Sequence, residues 1–478
     1  MHKFGIKIHF CVFLYQYMKK TCKSEKKVIY CIHKNQNFEK VGKIMKIKNV
    51  VRDYDEVMAM EVPKHFKPKK PNIFWRCLTK VISQPALKKT HFTHREIGME
   101  KLGKDEPALI LMNHSSFLDF EIAYSMLFPR KFNTVATLDA FVGLNWIMKQ
   151  IGCFPTRKFI ADLQLIRDIK YCLTENKCSV LMFPEAAYTF DGTKTTLPAS
   201  LAKFVKMLGV PLVMLETYGS YLRDPIFNKL QNRDLPVSAE LRYVLSPEQI
   251  KAMSVEEIQA VIDKEFSYDQ YRWQKENNIV IDEPFRADGL ESVLYKCPHC
   301  GKEGKMEGKG IHLTCHECGK AWELTELGYL KATEGEDHFD HIPDWYRWQR
   351  ECAKKEVLEG TYGFDVPCDI YMIVNTKDVY RVGEGRVSHN LDGLHLTGCD
   401  GKIDYSQTSR SMYTLEAAFH WYTLGDAIGM GNNRALYFAM PKEDKYVVGK
   451  SRLAAEEIFK MIEEQKKAKK EEAKAKAE

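Results

Sequence analysis

Short apolar runs separated by amphipathic segments dominate the chain between residues 107 and 245. Segments such as 117–127 and 161–175 carry apolar residues at helical spacing. Five runs have the length and composition of strands: 109–112, 134–138, 179–183, 210–215 and 236–245. Strands that alternate with helices in this way predict an α/β fold with a mostly parallel sheet flanked by helices.

The first of these runs ends abruptly in polar residues. Asn113-His114-Ser115-Ser116 follows the apolar run at 109–112, and Asp119 comes five residues after His114. Open α/β sheets keep their chemistry at the carboxyl ends of strands. A carboxylate bonded to one imidazole nitrogen fixes the tautomer, so that the other nitrogen can take a proton. A helix-capping turn beside a surface acid is the open alternative.

Polar side chains also follow a predicted turn at 152–155 and the predicted strand at 179–183. Gly152 and Pro155 mark a turn just before Arg157, whose guanidinium can bind a phosphate through two parallel hydrogen bonds. An arginine after a turn is otherwise a solvated surface charge. The run at 179–183 ends in Pro184-Glu185-Ala186.

These blocks, in this order and followed by the segment at 209–213, resemble the glycerolipid acyltransferase family over residues 90–245. The 1-acylglycerol-3-phosphate acyltransferases are the most similar type. The resemblance implies that His114 is a general base oriented by Asp119, and that Arg157 binds the acceptor's phosphate. It assigns substrate-binding roles to six residues: Asn113, Arg157, Phe183, Pro184, Glu185 and Ala186. Ala186 stands where the family usually has glycine, and alanine adopts a positive φ less readily.

The resemblance implies an O-acyltransferase of phospholipid biosynthesis. The co-substrate is acyl-CoA or acyl-carrier protein, and the acceptor is the hydroxyl of a lysophospholipid, with 1-acylglycerol-3-phosphate as the first candidate. A thioester is already activated, so no Ser or Cys nucleophile is required. The alternative is a non-catalytic lipid- or protein-binding adaptor that retains the acyltransferase fold.

Two Cys-x-x-Cys pairs lie between residues 290 and 330. Fourteen residues separate the pairs, and Gly301 and Gly319 follow them and permit tight turns. Four thiolates at this spacing predict a closed, structural zinc site in a zinc ribbon, with Cys297, Cys300, Cys315 and Cys318 as ligands. The ribbon has no arginine cluster, so a nucleic-acid partner is not favoured.

Charge and composition divide the rest of the chain. Residues 1–50 contain 12 lysines and two glutamates, whereas the remainder contains 59 basic and 62 acidic side chains. No run reaches the ~18–20 apolar residues of a membrane-spanning helix. Residues 73–82 follow a basic linker at 64–71 and carry apolar side chains at helical spacing. This short helix could pack on the core or contact a membrane surface. We therefore expect a cytoplasmic protein, peripheral on the inner face of the membrane.

Five regions are predicted from these features. They are a basic N-terminal arm and linker (1–72), an acyltransferase domain (73–285), a zinc ribbon (290–330), a β-rich domain with a closing helix (360–465) and a charged tail (466–478). The β-rich region weakly resembles pleckstrin-homology or GRAM-type domains, which implies a role at lipid surfaces; inert packing is the alternative.

Overall fold

The computed structural model describes residues 49–158 and 162–475. Most of the predicted basic arm therefore lies outside the described residues. The described chain begins with β1 (Asn49–Val51) and α1 (Tyr54–Ala59). These two elements fall inside the predicted arm, yet they pack against the folded body, because Val57 of α1 is fully buried.

A seven-stranded mixed sheet, here the N-terminal sheet, carries the polar segments predicted from the sequence. The strand order is β2-β8-β7-β3-β6-β4-β5, and every neighbouring pair is parallel except β7 with β8. This confirms the predicted mostly parallel α/β sheet. The strands are β2 (Thr93–Ile97), β3 (Leu109–Met112), β4 (Phe132–Thr137), β5 (Cys153–Thr156), β6 (Ser179–Met182), β7 (Leu212–Tyr218) and β8 (Ser238–Leu245).

Helices cover both faces of this sheet. Ile110 and Met112 of the central strand face one hydrophobic cluster, whereas Leu109 and Leu111 face another, as expected from the period of two along a strand. Among the described residues, no helix combines the length and the apolar character needed to cross a membrane. The helices are α2 (Ile73–Lys89), α3 (Leu118–Met126), α4 (Asn145–Gln150), α5 (Leu163–Thr174), α6 (Leu201–Leu208), α7 (Ser220–Arg223), α8 (Pro247–Ala252), α9 (Val255–Glu265) and α10 (Gln270–Glu276).

The segment before Arg157 differs from the predicted turn. Residues 153–156 form β5, which pairs in parallel with β4 at the edge of the sheet. A proline lacks the N–H for a second ladder, so Pro155 is compatible with an edge strand. The sequence pattern also missed β2, since its residues are polar and exposed.

A four-stranded antiparallel sheet forms the cysteine ribbon. Its order is β12-β11-β10-β9, with β9 (Met306–Lys309), β10 (His312–Cys315), β11 (Ala321–Leu324) and β12 (Leu330–Ala332). The flanking helices α10 and α11 (Ile342–Leu358) share the sequence Tyr-Arg-Trp-Gln. The glutamine of each copy is buried and donates a hydrogen bond to the main chain near the ribbon. Gln274 donates to the carbonyl of Glu326, and Gln349 donates to the carbonyl of Val293. The repeated motif therefore anchors the ribbon twice.

The C-terminal sheet contains seven antiparallel strands in the order β16-β15-β14-β13-β19-β18-β17, with β1 added in parallel to β14. The predicted β-rich C-terminal region is confirmed, and one hydrophobic cluster joins it to the cysteine ribbon. The elements are β13 (Phe364–Ile373), β14 (Val379–His389), β15 (Gly393–Gly398), β16 (Ile403–Thr408), β17 (Glu416–Trp421), β18 (Gly425–Gly431), β19 (Leu436–Pro441) and α12 (Val447–Ala475).

Candidate active site

The turn between β3 and α3 brings His114 and Asp119 together. Oδ2 of Asp119 lies 3.2 Å from Nδ1 of His114. The same oxygen accepts hydrogen bonds from the backbone N–H groups of Ser115 at 2.7 Å and Ser116 at 3.0 Å. Because the Asp119 side chain is only 1% exposed, these donors hold the carboxylate firmly in place. With the Nδ1 proton shared with Asp119, Nε2 is the nitrogen that can accept a proton.

Two aromatic rings flank the imidazole of His114. The ring centroid of Phe183 lies 4.2 Å from that of His114, and the centroid of Tyr188 lies 4.0 Å from it. Burial lowers the pKa of His114, while the hydrogen bond and the charge of Asp119 oppose this effect. The imidazole is therefore neutral at neutral pH, which is the form that a general base requires.

Glu185 lies beneath the histidine turn and contacts main chain. Its carboxylate accepts hydrogen bonds from the backbone N–H of His114 at 2.9 Å and from that of Thr195 at 2.7 Å. The hydroxyl of Tyr268 donates to the same carboxylate at 2.9 Å. Burial raises the pKa of Glu185 to about 7, although all three donors lower it. These contacts make Glu185 a positioning residue, and its substrate-binding role stays a prediction.

Asn113 is also fully buried and joins the turn to β7. Its Oδ1 accepts from the backbone N–H of Thr217 at 2.8 Å, and its Nδ2 donates to the carbonyl of Thr217 at 3.1 Å. The hydroxyl of Thr217 lies 3.4 Å from Oδ1 of Asp119. Asn113 therefore aligns the turn with the neighbouring strand.

The loop after β6 adopts the conformation that a glycine would favour. Ala186 has a φ of +54°, in the left-handed region. Its N–H donates to the carbonyl of Phe183 at 3.0 Å, which closes the turn around the buried Pro184. The left-handed conformation costs a residue with a Cβ about 1–2 kcal/mol. The departure from glycine has therefore left the loop shape in place, at the expense of backbone strain.

Arg157 and Lys158 follow β5 and both contact the C-terminal sheet. Nη1 of Arg157 donates to the carbonyl of Asn433 at 2.7 Å. Nζ of Lys158 lies 2.8 Å from Oε1 of Glu416 in a largely buried ion pair. Burial would lower the pKa of Lys158, but Glu416 and Asp139 raise it above its ordinary value. The C-terminal sheet therefore packs over the edge of the N-terminal sheet that holds the predicted phosphate-binding arginine.

Comparison with known proteins identifies the region that contains this site. A family profile described as Acyltransferase matches residues 94–215. The chain contains a domain of the acyltransferase family. This acyltransferase domain includes His114, Asp119, Arg157 and the loop at 183–186.

Proteins similar to the chain include a curated relative and a solved structure. BAT2, a chloroplastic 1-acyl-sn-glycerol-3-phosphate acyltransferase of Brassica napus, is 27% identical over 126 residues, which are 26% of this chain and 36% of that protein. The match thus spans well under two thirds of that relative's length. The crystal structure of the 1-acyl-sn-glycerophosphate (LPA) acyltransferase PlsC from Thermotoga maritima is 17% identical, and the similarity covers 40% of this chain and 78% of that one with a TM-score of 0.32.

Several residues around the acyltransferase site were not predicted from the sequence. Tyr188 lies two residues after Ala186, and Lys158 directly follows Arg157, so extending each predicted block would have found them. Thr217, Tyr268 and Glu416 carry no local signal, because they reach the site from distant elements.

The four predicted zinc ligands come together in the cysteine ribbon. Their sulfur atoms all lie within 4.8 Å of one another, and the Cys297–Cys318 and Cys300–Cys315 pairs are each 3.8 Å apart. Tetrahedral zinc with Zn–S bonds of about 2.3 Å requires sulfur atoms about 3.8 Å apart. The four cysteines can therefore hold a metal ion, and their geometry fits zinc.

Proposed function

We propose that this chain transfers a fatty acyl group from a thioester to the hydroxyl of a lysophospholipid. The observation that carries the proposal is the His114–Asp119 hydrogen bond at the carboxyl end of a central strand, within a domain of the acyltransferase family. The donor is acyl-CoA or acyl-carrier protein. The acceptor proposed first is 1-acylglycerol-3-phosphate, which the name of the curated relative supports.

The chemistry follows from the geometry of the histidine. Nε2 of His114 takes the proton of the acceptor hydroxyl as its oxygen bonds to the thioester carbonyl carbon. The tetrahedral intermediate then collapses, the C–S bond breaks, and the imidazolium returns the proton to the leaving thiolate. Asp119 stabilises the imidazolium while the proton is held. A positioned base of this kind supplies about 10²–10⁴-fold in rate.

Arg157 is proposed to bind the phosphate of the acceptor. One of its N–H groups bonds to the carbonyl of Asn433, whereas its buried Nε has no partner among the described residues. A guanidinium with a remaining N–H can add a charge-assisted hydrogen bond to a phosphate oxygen. Residues 159–161, which directly follow this segment, lie outside the described part of the chain.

The cysteine ribbon is proposed to hold a structural zinc ion. Cys297, Cys300, Cys315 and Cys318 would complete the coordination of the metal, so the site would stabilise the fold and take no part in acyl transfer. A nucleic-acid partner is not proposed.

We also propose a peripheral contact with the inner face of a membrane from the cytoplasmic side. Ile73 of α2 is 51% exposed, and Trp146, whose ring meets that of the buried Trp75, is 44% exposed. Lys69 and Lys70 are exposed just before α2. Apolar side chains beside basic ones suit an anionic lipid surface. Sedimentation with anionic and neutral vesicles tests this contact, with an Ile73→Ser/Trp146→Ser double variant expected to bind less to anionic vesicles.

Transfer of a labelled acyl group from acyl-CoA or acyl-carrier protein to lysophospholipid acceptors tests the main proposal. His114→Ala should lower the rate by about 10²–10⁴-fold. The matched control is His94→Ala, which removes an exposed histidine from β2 of the same sheet and should retain activity. If His114→Ala keeps wild-type activity, the proposed mechanism is wrong.

The adaptor function remains the second candidate, because Arg157 and Lys158 are both engaged by the C-terminal sheet. If the protein is an adaptor, the wild type transfers no acyl group from any donor. His114→Ala then binds lysophospholipid with wild-type affinity. The acyl-transfer assay therefore separates the two functions.

A further inference from the structure

A narrow cleft lies between the acyltransferase domain and the C-terminal sheet. Thr137, Asp139 and Lys158 line one wall, and Gln407 and Glu416 belong to the other. Lys158 directly follows Arg157, the residue proposed to bind the acceptor's phosphate, so the cleft begins beside the proposed phosphate site. The hydroxyl of Tyr422 donates to the carbonyl of Asp139 at 2.6 Å and ties the two walls together.

Two hydrogen-bond acceptors of the C-terminal wall are left unsatisfied. Glu416 is 7% exposed, and only its Oε1 bonds to Lys158. Its Oε2 is buried and has no hydrogen-bond partner within the described part of the chain. The Oε1 atom of Gln407 is buried and equally without a partner there. A buried polar atom without a partner costs about 1–3 kcal/mol, so both atoms call for a ligand that donates hydrogen bonds.

The remaining surface of the cleft is suited to an amphiphile. Lys158 supplies a positive charge that the Asp139 and Glu416 carboxylates offset, so the cleft has no excess positive charge for a bare dianion. Most of the other lining residues are apolar: Leu138, Met412, Leu415, Met430, Leu436 and Phe438. This combination fits a molecule that carries hydrogen-bond donors and an apolar portion.

We infer that Glu416 and Gln407 of the C-terminal sheet recognise the head group of the lysophospholipid acceptor. They favour a head group in which the phosphate is esterified to a group with ammonium or hydroxyl donors. The inference rests on the proposed acyl transfer to a lysophospholipid, and it ranks acceptors with an esterified phosphate above 1-acylglycerol-3-phosphate. The head group's donors would meet Oε2 of Glu416 and Oε1 of Gln407, while its phosphate would bind the neighbouring Arg157. Both residues determine specificity and take no part in the chemical step.

The test compares kcat/KM for four 1-acylglycerol acceptors that differ in the head group: phosphate, phosphoethanolamine, phosphoglycerol and phosphocholine. The choline group is positively charged but has no hydrogen-bond donor. Comparison with ethanolamine therefore separates the effect of hydrogen bonding from the effect of charge. In Glu416→Gln, kcat/KM for the ethanolamine acceptor should fall about tenfold relative to the phosphate acceptor, through KM. The relative value for the choline acceptor should not change. An equal loss for all four acceptors, or no loss for any, would overturn the inference.

A second variant covers the possibility that loss of the Lys158–Glu416 pair disturbs folding. Gln407→Met, on the half-buried side of β16, removes one acceptor atom and leaves the ion pair intact. It should lower the preference for the glycerol and ethanolamine head groups. The matched control is Glu384→Gln, which removes a lysine-paired carboxylate that is 62% exposed on the same sheet and lies outside the cleft. This control should leave the ratios unchanged.

Binding measurements distinguish failure of this inference from failure of the proposed function. If wild-type protein transfers no acyl group to any acceptor, the proposed function is wrong. The Kd values of water-soluble, short-chain forms of the four lysophospholipids then test the head-group preference directly. Equal Kd values for all four, or ratios that are the same in Glu416→Gln, would overturn the inference.

Discussion

The carboxylate of Glu185 accepts a hydrogen bond of 2.9 Å from the backbone N–H of His114. Its other oxygen accepts from the backbone N–H of Thr195. One buried carboxylate therefore joins the turn that carries the general base to the loop that follows β6. Through these contacts Glu185 positions the turn that carries His114.

Glu185→Gln should destabilise the protein by about 1–3 kcal/mol, because the amide NH₂ would face a backbone N–H that needs an acceptor. The pKa of Glu185 is raised from 4.5 to about 7 in the folded state, so its contribution to stability is present below about pH 4.5 and is lost as the pH rises to about 7. Urea unfolding at several pH values should show that the free energy of unfolding depends less on pH in the variant than in the wild type. Glu384→Gln should keep the wild-type slope; an unchanged slope in Glu185→Gln would contradict the prediction.

Asp119→Asn should lower kcat by about 10²–10⁴-fold with little change in KM, because the amide no longer stabilises the imidazolium. Steady-state acyl-transfer kinetics measure this effect, and thermal unfolding checks that the turn survives. Asp105→Asn, at an exposed position, is the control. A kcat close to that of the wild type would show that Asp119 does not orient the base.

The pH dependence of kcat/KM should have an acid limb that belongs to His114. Burial lowers the pKa of this imidazole from 6.5, so activity should be constant near neutral pH and fall once the pH drops below the lowered pKa. Since Asp119 raises the pKa, Asp119→Asn should move the limb to still lower pH. In Glu185→Gln the limb should remain; its disappearance there would assign it to Glu185 instead.

Ala186→Gly should stabilise the protein by about 1 kcal/mol, because glycine adopts the left-handed φ of this position without strain. Denaturant unfolding gives the change in the free energy of unfolding. The neighbouring Ala187→Gly is the matched control and should destabilise, since it removes a buried methyl group where φ is not positive. A loss of stability in Ala186→Gly would mean that the methyl group's packing outweighs the strain.

Removal of the metal should lower the thermal stability. Cys300→Ser should reduce bound zinc from about one equivalent per chain towards zero and lower Tm by more than about 5 °C. Metal analysis and thermal unfolding measure the two effects. Cys77→Ser, at a cysteine outside the cluster, should change neither. Full zinc content in Cys300→Ser would show that this cysteine is not a ligand.

Local patterns predicted much of the fold. The apolar runs around 109–112 and 179–183 form strands that are largely buried. The cysteine spacing predicted a cluster that the structure assembles. The turn predicted before Arg157 is instead β5, because an edge position in the sheet accommodates Pro155. The pattern could not show this, since edge and central positions are decided by the neighbouring strands.

The sequence by itself determined the alternation of strands and helices, the His114–Asp119 pair and the four cysteines, because each depends on residues close together in the chain. Only the tertiary structure decided that Tyr268 bonds to Glu185 and that Glu416 pairs with Lys158. Those partners are 83 and 258 residues apart, and no local periodicity encodes such contacts. Tyr268 reaches Glu185 through a hydrophobic cluster of the N-terminal sheet and its helices, whereas the packing of the C-terminal sheet brings Glu416 to Lys158.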